Sequence, residues 1–348
     1  AVSTGVLAWI HFDARPVEQA AVVTTLLPPP EGEFAIGSNP YALPAISPDG
    51  KRIVYGARLK DGKTQLWLRR LDSTTAQPLQ GTENAATPFW SPDSRWLAFG
   101  QDRKLKKIDI QGGPPVAITD MPGPLRGGTW NAEGVILFGY NGSGTRILRV
   151  SAAGGAAQPV ISGETSTDGK SGTQAASSYR SPWFLPDGRH FLYYEGSPGD
   201  MPVYVGSIDE PGKPGKLVAK ANSVPSYSQG SLLYLRETTL MAQPFDTSRL
   251  ETTGEPVPIA ENIPTFTSPS RLPAFAVSSS GLLTYVAGLG GARTRLVWKD
   301  RQGKEVGTVG ALESPIGNLA LSRDGKSAAV TFGGASQNVD LGIYDLAR

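Results

Sequence analysis

Four aspartates occur in one recurring short phrase, and their residue type and spacing could support chemistry. The phrase is Ser-Pro-Asp-Gly or a close variant between two short apolar runs, and its aspartates are Asp49, Asp93, Asp187 and Asp324. If equivalent turns gather on one face, such carboxylates could bind calcium or perform acid–base catalysis. An aspartate at this position also closes its own turn by hydrogen bonds to nearby backbone amides. We predict this structural role in the turn for all four.

The remaining candidates for chemistry are few. The chain has two histidines and no cysteine, which argues against a transition-metal site. The sequence contains no G-x-S-x-G nucleophile motif, and a Ser-His-Asp triad would need His190, which we interpret as a packed or hydrogen-bonded strand residue. The glycine-rich stretch Gly288–Gly291 lacks the Lys-Ser/Thr ending of a phosphate loop, and we predict a hairpin there. We therefore predict no catalytic residue, no cofactor and no metal site.

Charge and composition exclude further classes. The 33 basic and 31 acidic residues are spread along the chain and give a formal net charge of +2, so nothing indicates nucleic-acid binding. The absence of cysteine excludes disulfides but leaves the cellular compartment open. The 42 glycines and 29 prolines are typical of many short strands joined by many turns.

The recurring phrase marks a structural repeat of seven units. Its turn residue and the looser copies lie 44, 40, 54, 42, 51 and 44 residues apart, at Gly50, Ser94, Gly134, Gly188, Gly230, Gly281 and Gly325. Periods of roughly 40 to 50 residues are typical of propeller blades. In each of the first six units the second strand is continuously apolar, and the fourth is commonly proline-containing. That pattern predicts an inner strand covered on both faces and an outer strand at an exposed edge. The sequence therefore predicts an all-β, four-stranded-blade β-propeller.

The seventh unit supplies three strands and lacks a fourth. An unassigned strand, Ala21–Leu27, precedes the first unit. We predict a seven-bladed ring in which Val22–Leu27 pairs with Gly342–Leu346, so that both termini complete the last blade. The alternative is that the chain is the first part of a longer propeller array.

The amino terminus is apolar over residues 1–12 and ends in aromatic residues. A membrane span needs about 20 apolar residues. We interpret residues 1–12 as the end of a truncated transmembrane helix, residues 13–20 as a stalk, and residues 21–348 as the propeller domain. A disordered or packed apolar leader is the alternative.

The repeats resemble those of the TolB family of bacterial propellers. Longer phrases, such as Gln65–Asp72, Phe184–Tyr193 and Leu240–Asp246, resemble the extracytoplasmic region of membrane-bound bacterial serine/threonine protein kinases. That resemblance covers the chain from Thr24 onward. It implies a non-catalytic sensor or scaffold on the periplasmic side of the inner membrane, anchored by one helix to a kinase domain outside this segment. The kinase motifs are absent here, so no phosphotransfer residue is carried over.

Two other functions remain open at this stage. The chain could be the gating propeller of a prolyl-oligopeptidase-like hydrolase, or a free TolB-like scaffold that contacts envelope proteins. In each case the expected partner is an envelope protein or a small ligand, and fold-level analogy alone does not locate its site.

Overall fold

The computed structural model describes residues 32–34, 43–141, 146–161, 179–195, 201–221, 223–261, 263, 275–285, 296–299, 304–309, 316–333 and 339–346. These residues form 29 β-strands and no helix, which confirms the all-β prediction. Accordingly, no helix in this part of the chain is long and apolar enough to span a membrane. The predicted helix end 1–12, stalk 13–20 and strand Ala21–Leu27 lie outside the described residues.

The strands follow one another as antiparallel sheets, one sheet for each of the first five sequence units. The strands of sheets one to three are β1 (Gly32–Phe34), β2 (Ala45–Ile46), β3 (Arg52–Leu59), β4 (Thr64–Arg70), β5 (Ala76–Pro78), β6 (Ala86–Trp90), β7 (Trp96–Gln101), β8 (Lys104–Asp109), β9 (Val116–Asp120), β10 (Leu125–Trp130), β11 (Val135–Tyr140), β12 (Ile147–Ser151) and β13 (Gln158–Ile161). Those of sheets four and five are β14 (Tyr179–Phe184), β15 (His190–Glu195), β16 (Met201–Ser207), β17 (Lys216–Ala221), β18 (Ser226–Ser228), β19 (Ser231–Arg236), β20 (Thr239–Asp246), β21 (Glu251–Thr252) and β22 (Val257–Ala260).

The last two units are built differently. Unit six consists of two separate two-stranded ladders, and unit seven is a three-stranded sheet. Their strands are β23 (Phe275–Val277), β24 (Leu283–Tyr285), β25 (Leu296–Lys299), β26 (Glu305–Val309), β27 (Ile316–Leu321), β28 (Ser327–Gly333) and β29 (Val339–Asp345).

The second strand of each of the first five sheets is the most deeply buried. In β7, Leu97, Ala98 and Phe99 are all inaccessible to solvent, because successive side chains point to opposite faces and each face is covered by a neighbouring sheet. The continuous apolar runs predicted this environment, and the burial confirms it. The outermost strands, such as β9 and β22, are mostly exposed, as their polar and proline-containing sequences predict.

Each pair of neighbouring sheets from one to six is joined by an apolar cluster. The cluster between sheets one and two, for example, joins Val54 and Leu66 to Leu97 and Phe99. Comparable clusters lie between sheets two and three, three and four, four and five, and five and six. The core is therefore a series of inter-sheet layers, which indicates radial stacking of the sheets.

The ring closes between units six and one. Strand β23 lies against β2, and the Ser279 hydroxyl donates a hydrogen bond to the Pro48 carbonyl over 3.0 Å. In a seven-bladed ring, unit seven would separate these two units. Seven blades in one ring are therefore not confirmed: in the described part of the chain, units one to six meet around the ring. The short, serine-rich turn at Ser278–Ser280 allows this contact, since it packs directly beneath Gly50.

Sheet seven is a hydrogen-bonded sheet of its own in the described part of the chain. Its strands β27, β28 and β29 make their extensive contacts with one another, and its Leu341 and Ile343 are 68% and 76% exposed. The predicted pairing of Val22–Leu27 with Gly342–Leu346 involves residues outside the described part of the chain. Within that part, β29 pairs with β28.

Candidate functional site

A cavity occupies the centre of the ring. Its volume is about 480 Å³, and every one of the six ring units contributes to its wall. The lining comes from the innermost strands and the turns that follow them, at residues 43–46, 48, 87–90, 92, 127–133, 181–188, 224, 226 and 275–279. Because side chains of units distant in sequence converge there, this cavity is the candidate functional site.

Three of the innermost strands begin to line the cavity at a β-bulge. The register of β6, β10 and β14 shifts at equivalent points, and Thr87, Gly127 and Ser181 adopt positive φ angles of 55°, 89° and 47°. Such a bulge bends the strand and redirects the residues after it. The Ser181 hydroxyl donates to the Arg126 carbonyl at 3.3 Å, which holds neighbouring bulges together.

A buried tyrosine supports the bulge in β14 from behind. Burial raises the pKa of Tyr194 to about 12, and hydrogen bonds with Ser181 and Arg180 and the positive charge of Arg180 act in the opposite direction. Its hydroxyl therefore stays protonated at neutral pH and remains a hydrogen-bonding group. The neutral Tyr194 hydroxyl therefore supports the bulge without placing a charge next to the cavity.

The cavity wall is largely apolar and rich in indole rings and prolines. Trp90, Trp130 and Trp183 come from three successive sheets and all line it. The Trp90 indole N–H donates to the Ala45 carbonyl at 3.0 Å, which ties sheet two to sheet one. Among the described residues that line the cavity, the charged ones are Glu133 and Asp187, and both belong to turns at its rim. The interior therefore suits an uncharged group.

The recurring turns form that rim, and they contribute to it through their prolines. Pro48, Pro92 and Pro186 line the cavity. Nothing in the sequence analysis placed these prolines on the wall of a cavity. A periodic proline in a repeated turn is a signal that could have identified it, because equivalent turns of a ring face the same centre.

The aspartates of the phrase bond within their own turns. The Asp49 carboxylate accepts from the Ser47 hydroxyl at 2.5 Å and from the Lys51 amide at 3.0 Å. Burial alone would raise the pKa of Asp49, but these two bonds and the charge of Arg52 outweigh it and hold the pKa below its ordinary value. Asp93 has the same two kinds of partner, Ser91 and the Arg95 amide.

The structure brings three of the four aspartates to the same end of the ring and separates the fourth. Asp187 bonds the backbone amides of Arg189 and His190, and its other oxygen lies 2.5 Å from His190 Nδ1. Asp324 makes the equivalent bond with Ser322 but belongs to sheet seven, none of whose described residues lines the central cavity. No group of three or more metal-ligating side chains exists among the described residues.

His190 is the first residue of β15 and its side chain, about one-third exposed, bonds Asp187, which confirms the prediction of a hydrogen-bonded strand residue. Its hydrogen bond to Asp187 makes it part of the turn. The glycine-rich stretch Gly288–Gly291 lies outside the described residues.

A ring of radially stacked antiparallel sheets around a central cavity defines the chain as a β-propeller. No protein-family model and no curated protein matches its sequence. Among solved structures, TolB from Acinetobacter baumannii matches 51% of this chain and 44% of its own length at 19% identity, with a TM-score of 0.39. A putative TolB from Agrobacterium tumefaciens matches 62% of this chain and 79% of its own length at 15% identity, with a TM-score of 0.45.

An oligogalacturonate lyase solved with manganese matches 91% of this chain and 90% of its own length, at 14% identity and a TM-score of 0.46. The chain covers less than half the length of TolB from Acinetobacter baumannii. These overlaps are loose, so the propeller assignment rests on the arrangement of the sheets and their shared cavity.

Proposed function

We propose that this chain is a non-catalytic binding module whose ligand enters the central cavity from the end where the recurring turns lie. The observation that carries the proposal is the apolar cavity that all six ring units build together. Its volume falls in the range of ligand pockets, roughly 300–1,000 Å³. The turn aspartates serve the scaffold, since their carboxylates are engaged by local hydrogen bonds.

Filling the cavity with a side chain tests this proposal. Ala276 lies on the cavity wall in β23, whereas Ala117 is exposed on the outer strand β9. We expect the uncharged dye Nile red, which fluoresces in apolar surroundings, to bind the wild-type chain and the Ala117→Phe variant. Ala276→Phe should lose that binding while keeping its circular dichroism spectrum. Equal dye binding by both folded variants would reject the cavity as the binding site.

We further propose that the module reports to a membrane-anchored serine/threonine kinase domain in the same polypeptide, from the extracytoplasmic side of a bacterial inner membrane. The support is the resemblance of phrases such as Phe184–Tyr193 to the propeller regions of such kinases. The coding sequence around this segment tests it. An upstream kinase signature followed by a membrane span would support the proposal. A downstream G-x-S-x-G motif with a histidine would favour the peptidase, and the lack of both would favour a free scaffold.

A further inference from the structure

The composition of the cavity wall indicates which chemical class of ligand it binds. Trp130 and Trp183 lie on adjacent sheets, and Pro88 and Pro182 line the same cavity just after the bulges of β6 and β14. Flat aromatic rings flanked by apolar pyrrolidine rings form the kind of surface on which proline-rich segments dock. Such segments are pre-ordered in the polyproline II conformation, so they lose little conformational entropy on binding.

Hydrogen bonding distinguishes a peptide ligand from a purely apolar one. The indole N–H of Trp90 is used by Ala45, but those of Trp130 and Trp183 make no hydrogen bond within the described part of the chain. A hydrocarbon seated against these rings would leave any N–H that it shielded from water without an acceptor, which is costly. A polyproline II chain has no internal hydrogen bonds, so its carbonyl groups can accept from them.

The charges near the cavity limit the ligand further. Glu133 and Asp187 are acidic and lie at the rim, and the wall below them is uncharged in the described part of the chain. Arg189 interacts electrostatically with both of these carboxylates, so the rim carries both signs of charge. A peptide segment that is uncharged where it enters the cavity therefore meets the least electrostatic cost.

We propose that the central cavity binds an extended proline-rich peptide segment of a partner protein, with its pyrrolidine rings against Trp130 and Trp183 and its carbonyls accepting from their indole N–H groups. This inference rests on the proposed function, because it names the ligand class of the same cavity. It also assigns these two tryptophans as specificity-determining residues.

The test uses the full chain and the fluorescently labelled peptide Pro-Pro-Leu-Pro-Pro-Pro-Lys, with Ala-Ala-Leu-Ala-Ala-Ala-Lys as its matched control. Fluorescence anisotropy should show saturable binding of the proline peptide and at least about tenfold weaker binding of the alanine peptide. Trp130→Phe and Trp183→Phe keep an aromatic ring but remove the N–H donor. Each should weaken proline-peptide binding by about three- to tenfold, the loss expected for one hydrogen bond, while Nile red still binds.

The outcomes separate the two proposals. If Nile red binds the cavity but the proline peptide binds no better than the alanine peptide, the peptide inference is overturned and the binding cavity stands. If both peptides bind equally and the tryptophan variants bind like the wild type, the two indole N–H groups have no role in specificity. If neither dye nor peptide binds the wild-type chain, both proposals fail.

Discussion

The carboxylate of Asp49 is engaged by groups of its own turn: the Ser47 hydroxyl and the Lys51 amide on one oxygen, and the Arg52 guanidinium on the other. Its turn also reaches the neighbouring sheet, because the Asp49 amide donates to Ser94 Oγ at 3.1 Å. An oxygen held in this way contributes to the folded state and is a poor ligand for anything outside it. At the scale of the residue, the recurring phrase therefore forms a structural turn, and its proline lies at the rim of the cavity.

Removing this carboxylate should weaken the fold measurably. We predict that Asp49→Ala lowers the free energy of unfolding by about 1–2 kcal/mol, because several local hydrogen bonds and one exposed ion pair are lost together. Asp61→Ala is the matched control, since Asp61 sits in an exposed loop and accepts one backbone bond from Lys63. Urea denaturation should show a loss of roughly 0.5 kcal/mol or less for the control. Equal losses for the two variants would contradict the role assigned to Asp49.

Stability should fall in acid. Hydrogen bonds hold the pKa values of Asp49, Asp187 and Asp324 below the ordinary value of 3.8. Burial opposes the shift most strongly at Asp49 and Asp187, where nearby positive charge adds to the effect of the hydrogen bonds. A carboxylate with a lowered folded-state pKa stabilises the protein above the unfolded pKa, and that contribution is lost as the pH falls through the folded value.

The measurement is the urea concentration at which half of the protein is unfolded, taken between pH 6 and pH 2.5. The Asp187→Asn variant has no carboxyl group to titrate at this position. Its midpoint should therefore fall less steeply with decreasing pH than that of the wild type. An identical slope in both proteins would show that Asp187 does not contribute to the acid dependence.

At the scale of the element, the bulges of β6, β10 and β14 determine where the cavity wall begins. Gly127 shows how tightly the strands approach there: a Cβ atom on it would lie 2.5 Å from the Ser181 Cα. We predict that Gly127→Ala destabilises the fold by more than about 2 kcal/mol, through both the positive φ and the clash with backbone. Gly134→Ala, which has a similar φ of 78° and no neighbour within 4 Å, should cost about 1 kcal/mol.

Thermal or urea unfolding of the two glycine variants checks this difference directly. Since both substitutions place alanine at positive φ, the difference between their free energies of unfolding reports the close approach of β10 to β14. A difference near zero would mean that the two strands can move apart at the bulge without cost.

The sequence predicted the elements better than their arrangement. The second strands were identifiable because both of their faces are apolar, and the turns because Pro, Asp and Gly each have a fixed local role. The bulges were not predictable, since Thr87 and Ser181 adopt positive φ against their own preference and are held there by neighbouring strands. The number of units in the ring could not be predicted either, because a repeat count does not say which repeats pack together. The cavity could not be predicted from the strands or the turns, since it is formed by residues distant in sequence.

At the scale of the whole molecule, unit seven should be dispensable for the ring. Val330 is buried within sheet seven but belongs to none of the five apolar clusters of the described residues. We predict that Val330→Ala leaves the main thermal transition unchanged. Leu97→Ala, in the cluster between sheets one and two, should lower stability by about 2–5 kcal/mol.

Differential scanning calorimetry distinguishes the two variants. A downward shift of the main transition in Val330→Ala comparable to that in Leu97→Ala would show that unit seven is part of the ring's core. Such a result would restore the seven-bladed arrangement.

The contact between units six and one differs from the other joints of the ring. Five joints are apolar clusters, whereas the described contacts at this one include side-chain hydrogen bonds such as that from Ser279 to Pro48. Hydrogen bonds shared with water contribute less to a joint than buried apolar area does. We therefore expect the ring to open first at this seam, so that in deuterium-exchange experiments the amides of β2 and β23 exchange earlier than those of β7 and β11. A partner that bound units six and one together would slow that exchange. It would thereby control the width of the cavity without entering it.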